Sequence, residues 1–221
     1  MFLKHSIAPE GNIQTSDFNW KHVLKFFRNT LLHQKGISIN GTLPSISTIK
    51  FHLVARGMSI STANVLLTPN DKQDVVLMIK LLNAISNLTP ASDTDTPLIK
   101  STHQALILLS QVYNHLLNVY MNIQLSLHEQ LVHLNAAAHL ILAMYHNDKG
   151  DLIPVQTFFD VMSMIKNVYF CVAKTQVDDP TGSFWIILLG TDGLEKVFGK
   201  VRTMVGNNSN ANLCTTAHQL H

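Results

Sequence analysis

PLIKSTHQALILLSQVYNHLLNVYMNI, residues 97–123, is the stretch that decides the fold class. Leu106, Leu109, Val112, Tyr113, Leu116, Leu117 and Tyr120 recur at helical spacing and make a wide apolar surface. About 25 residues rising about 1.5 Å each predict a helix of nearly 40 Å. A helix that long and that broadly apolar needs neighbours, so a mainly α, multi-helix bundle-like domain is expected, with at most one or two short strands.

Working outward, the segment LTPASDTDTP at 88–97 is rich in Pro, Ser, Thr and Asp and reads as a linker. On its amino-terminal side, helices are expected over about 15–33, 44–56, 60–67 and 71–87. Thr15, Ser16 and Asp17 open the first and Gly36 closes it. The basic face of that helix, Lys21, His22, Lys25 and Arg28, reads as solvated, with DNA contact the alternative. Ile37 to Gly41 is a candidate brief strand and turn. Pro44 suits a first helical turn, Gly57 and Ser59 a stop and restart, and Asn70-Asp71 a cap. On the carboxy-terminal side, helices are expected at about 126–147 and 154–174, separated by the turn NDKGD at 147–151. The expected organisation is a flexible 1–14, a helical subregion 15–87, the linker, a second helical subregion 98–182, a terminal segment 183–206 and a tail 207–221.

Composition bounds the function. Of 221 residues, 46% are hydrophobic and only 14% charged, which is low for a chain that must stay soluble alone and implies apolar surface kept for a partner. A net charge of +2 does not by itself imply nucleic-acid binding. Two cysteines, Cys171 and Cys214, supply neither a disulfide framework nor a zinc set, so a reducing, intracellular setting is expected, nuclear or cytoplasmic. Met1 to Asn12 does not read as a secretory signal, and no run reaches the roughly 18 apolar residues of a membrane helix.

Twelve histidines invite a metal reading. His128 and His133 are five positions apart, about 140° around a helix, whereas two zinc ligands on one helix face need i and i+4. His103, His115, His133, His139 and His146 are therefore expected to be partly buried, hydrogen-bonded side chains. Cys171, in the apolar run YFCVA, reads as packing rather than as a nucleophile.

The remaining candidate is SFWIILLGTDGLEKVFGKVRTMV, residues 183–205. Phe184 to Leu189 is an apolar run suited to a core strand or a helix start. The chain is expected to turn at Gly190 and enter a helix capped by Thr191 or Asp192. In that helix Leu194, Val197, Phe198, Val201, Met204 and Val205 share one side, while Asp192, Glu195, Gly199 and Arg202 share the other.

GTDGLEKVFGKVR, followed by Gly206-Asn207-Asn208, resembles the LExxFGxxR-type helix of P-element-like (THAP-type) DDE transposases. More narrowly, it resembles the transposase-derived proteins of mushroom-forming basidiomycete fungi. Residues 36–87 and 126–205 resemble the same family's helical region, so the likeness spans nearly the whole chain. It implies a transposase insertion domain followed by the last helix of an RNase-H-like fold. It makes Glu195 the catalytic, metal-binding acid, and gives Asp192 and Lys72 a guanine-nucleotide role. Mg²⁺ and GTP are the implied cofactors. DNA, touched by Lys196, Lys200 and Arg202, a missing transposase catalytic core and a further copy of the chain are the implied partners. The family's first two aspartates have no strand-borne counterpart before Gly36. The chain is thus expected to be an incomplete transposase, inactive alone in DNA transposition and integration. The alternatives are a non-enzymatic helical interaction module and a nucleotide-binding remnant.

Overall fold

In the computed structural model, residues 6–7, 13–14, 19–68, 71, 73–88, 97–149, 151–190 and 200 are described. In chain order they form strands β1 (Ser6–Ile7) and β2 (Ile13–Gln14), then helices α1 (Trp20–Leu31), α2 (Ile46–Ala55), α3 (Ile60–Leu67) and α4 (Val75–Ser86). These are followed by α5 (Pro97–Met121), α6 (Leu127–Asn147), α7 (Val155–Asp178) and a 3-10 turn, Ile186–Leu188. The strands pair antiparallel, Ser6 opposite Gln14 and Ile7 opposite Ile13. Helices dominate the rest, so the mainly α expectation holds.

Helices α1, α2, α3, α4 and α6 each begin where a short polar side chain captures an otherwise unpaired amide, whereas α7 follows Pro154 without a side-chain cap. Asn19 accepts from the Lys21 amide at 2.9 Å, Ser45 from Thr48 at 3.2 Å, Ser59 from Thr62 at 3.1 Å and Asp74 from Leu77 at 2.9 Å. At α6 the capping is reciprocal: the Glu129 amide donates to Ser126 Oγ at 3.3 Å while Glu129 Oε2 accepts from the Ser126 amide at 2.8 Å. The Ser126 hydroxyl, donating to the same Oε2 at 2.7 Å, and the Ser126 amide hold the exposed Glu129 carboxyl below the usual carboxylate range.

Several boundaries differ from the sequence expectation. α4 starts at Val75, because Asp71 spends its carboxylate on the Gln73 amide at 2.7 Å and Asp74 is the cap. Pro44 precedes the cap of α2 instead of entering its first turn. α1 ends at Leu31, and Gly36 serves the following turn: its φ of +61° suits glycine, and a Cβ there would lie 2.7 Å from Leu43 Cδ1. Beyond it, Ile39 and Thr42 make the single bridge of the short strand-and-turn.

α5 is the hub. It packs most extensively on α4 and α6, and also meets α2 and the 3-10 turn, while α1 lies on α4 and α7. All seven apolar residues singled out on α5 are buried, and one hydrophobic cluster joins them to Leu24, Phe27, Met78, Leu81, Leu134, Ile141 and Val161. Trp20 stacks on Tyr120 with ring centroids 4.6 Å apart, and Phe27 meets Tyr113 edge-on at 5.9 Å.

Arg28 overturns the expectation of a solvated basic face on α1. It is fully buried, donating Nη1 to the Asp74 carbonyl at 2.8 Å and Nε and Nη2 to Asn29 Oδ1 at 3.2 and 3.1 Å. Burial pulls the guanidinium below its usual value, and Asp74 and Asp71 oppose that pull. The cause is α4: once it packs on α1, the positions that α4 covers cease to face water. Asp148, at the end of α6, has a matching role, accepting the Asn40 and Gly41 amides at 3.0 Å each.

Candidate functional site

The segment leaving α7 returns to the end of α5 and there splits its apolar run. Ile186 is 1% exposed against the core, with Phe184 and Leu189 partly buried beside it, while Trp185, Ile187 and Leu188 are 65%, 45% and 77% exposed. The expected buried strand or helix start is instead a 3-10 turn: Leu188 and Leu189 donate back to the Trp185 and Ile186 carbonyls at 3.0 Å each. A three-residue turn cannot bury six consecutive apolar side chains against one helix, so half of them face outward.

The turn at Gly190 is present. Its φ is +131°, open to glycine, and a Cβ would come within 3.4–3.5 Å of Asn19, the cap of α1. Between the run and the α5–α6 connection lies a cleft of about 470 Å³, bordered by Tyr120, Ile123, Leu127, Gln130, Trp185 and Ile187. Ile123, 89% exposed, borders the same cleft as Trp185 and Ile187. The site is therefore an exposed apolar apron beside a shallow cleft.

Of the residues implied by the family resemblance, Lys200 is helical and exposed. Glu195, Asp192, Lys196, Arg202 and Lys72 lie outside the described residues. Among the described residues no group of three or more His, Cys, Asp or Glu side chains is placed to hold a metal ion.

Two histidine pairs were not foreseen. His52 on α2 and His103 on α5 are buried with their Nδ1 atoms 3.1 Å apart. Arg56 Nη2, a pure donor, lies 3.4 Å from His103 Nε2, which must accept. A neutral His103 then carries its proton on Nδ1 and donates to His52, whose Nε2–H meets Thr102 Oγ1 at 3.3 Å. The Thr102 hydroxyl donates onward to the Ile99 carbonyl at 3.1 Å. The second pair, His115 and His133, joins α5 to α6 at 2.9 Å. Burial, reinforced by the positive charge of His133, pulls His115 below the usual histidine range. Both pairs act as polar locks between helices. Cys171 is partly buried, with its thiol 3.7 Å from Asn167 Oδ1, consistent with the packing role read from sequence.

His103 falls one turn before Leu106 on the buried side of α5, a periodic signal of burial. Nothing in the sequence identifies its partner 51 positions away. No known protein family, curated protein or solved structure matches the chain. No helix among the described residues is long and apolar enough to cross a membrane.

Proposed function

We propose that this chain is a transposase-derived helical module, related to DNA transposition and integration, that docks onto an RNase-H-like catalytic core and does not cut DNA alone. The observation carrying this reading is the apron: Trp185, Ile187 and Leu188 stand 65%, 45% and 77% exposed beside Ile123 at 89%. Such a cluster, a few positions before the LExxFGxxR-type motif in sequence, is what a lobe contact would cover. Trp185 has the character of an interface anchor, a large ring 65% exposed at the edge of the cleft. Within the same proposal Glu195 is the acid contributed to the assembled site. Lys196, Lys200 and Arg202 touch DNA phosphates weakly and with strong salt dependence.

Titration of the chain with the isolated catalytic core of a P-element-like transposase, followed by tryptophan emission and calorimetry, tests the reading. Saturable binding that Trp185→Asp or Leu188→Asp weakens at least tenfold supports it. A folded chain that ignores the core overturns it. Metal-dependent nicking of plasmid DNA by the chain alone, abolished by Glu195→Ala, would make it an enzyme in its own right. Micromolar binding of GTP with Mg²⁺, lost in Asp192→Ala, would favour a nucleotide-binding role instead.

A further inference from the structure

A second cleft, of about 760 Å³, opens between the outer face of α1, the turn that follows it and the segment leading into α7. It is independent of the apron and within the size range of small-molecule sites. Phe26, Leu43 and Ile153 give it apolar walls, and Phe26 and Leu43 are 46% and 50% exposed into that open space.

Its polar lining carries one full charge of each sign. Lys35 and Asp151, both exposed, border the cleft, and their side chains do not pair with each other or with any other described residue; the bonds of these two residues are made by their backbone. Two neighbours are oriented by the surrounding structure. Asn29, which borders the cleft, has its Oδ1 held by the buried Arg28 guanidinium, so its N–H₂ is the group left to donate. His33 Nδ1 accepts the Lys35 backbone amide at 3.2 Å, so the neutral ring carries its proton on Nε2, a donor. Asn29, His33 and Lys35 thus supply donors for an anionic end, and Asp151 supplies an acceptor for a cationic one.

We propose that this cleft binds a zwitterionic small molecule with an apolar body, of the amino-acid or short-peptide class. A simple anion would satisfy Lys35 and meet repulsion from Asp151, and a simple cation would meet the reverse. A zwitterion answers both charges while its apolar body covers Phe26 and Leu43.

Calorimetry with the dipeptide L-Phe-L-Leu, its N-acetyl derivative and its C-terminal amide tests this on the unmodified protein. The expected result is saturable binding of the free dipeptide, with each capped form at least tenfold weaker. Lys35→Met should reduce the free dipeptide to the level of the amide and leave the amide unchanged. Asp151→Asn should reduce it to the level of the acetylated form. Trp185→Ser should change nothing, which separates this cleft from the apron. No heat from the free dipeptide at millimolar concentration overturns the proposal, as does equal binding of all three ligands. Loss of binding in Trp185→Ser with retention in Lys35→Met overturns it too.

Discussion

Residues 106–120 of α5 and residues 184–189 are both strongly apolar, and they meet opposite fates. On α5 Leu106, Leu109, Val112, Tyr113, Leu116, Leu117 and Tyr120 recur at helical spacing and are buried against α4, α6 and the rings of α1, with Ile107 and Leu108 partly buried beside them. In the later run they are consecutive, and the 3-10 turn leaves Trp185, Ile187 and Leu188 exposed. The more uniformly apolar run is the more exposed one, so geometry decides. A helix can turn its apolar positions toward several neighbours at once, whereas a short turn meets one surface only.

The largest expected contrast is in stability. Leu116→Ala, which empties a fully buried site on α5, should cost about 3 kcal/mol in chemical denaturation. Leu188→Ala should stay within about 0.5 kcal/mol, as for other exposed positions. Equal losses would mean that the apron is covered in solution and would break the comparison.

Arg28→Met probes the same core from its polar side. It leaves the Asp74 carbonyl without the Arg28 donor, and a loss of about 2 kcal/mol is expected. Retention of full stability would show that α1 and α4 are held by apolar packing alone.

Tyr113 sharpens the picture further. Its hydroxyl is buried with no hydrogen-bond partner among the described residues, and burial pushes its pKa far above the usual tyrosine value. Tyr113→Phe removes that orphan while keeping the ring against Phe27, so a gain of up to about 1 kcal/mol is expected in the same unfolding assay.

The smallest effect is that of pH. His115 titrates below its ordinary value in the folded chain, so the unfolded chain binds more protons across that window. Stability is then full above about pH 6.5, the value for an unperturbed histidine, and falls as pH drops through the lowered value. His115→Gln should flatten that part of the stability profile, while Leu188→Ala should leave its shape unchanged. A profile unaltered by His115→Gln would show that the α5–α6 lock does not titrate.

Helix positions were legible because periodicity and capping are local. Ile60–Leu67 matches its expected range, and the long helices α5 and α6 begin and end within about two residues of theirs. Arg28 was misread for the opposite reason. Its helix face is polar by sequence, and only the arrival of α4, about 46 residues later in the chain, removes it from water. The histidine pairs were hidden likewise, since a hydrogen bond between side chains 51 or 18 positions apart has no local signature.

The mainly α architecture and the apolar face of α5 follow from the sequence alone, because each depends on residues within a turn or two of one another, whereas the capping residues Asn19, Ser45 and Asp74 are not the ones the sequence pointed to. Tertiary structure decided which polar groups are buried and which apolar ones are exposed. It put Arg28 and the His52–His103 pair inside, Trp185 and Leu188 outside, and Lys35 and Asp151 into one cleft. Burial is a property of what packs against a residue, and that neighbour usually comes from a distant part of the chain.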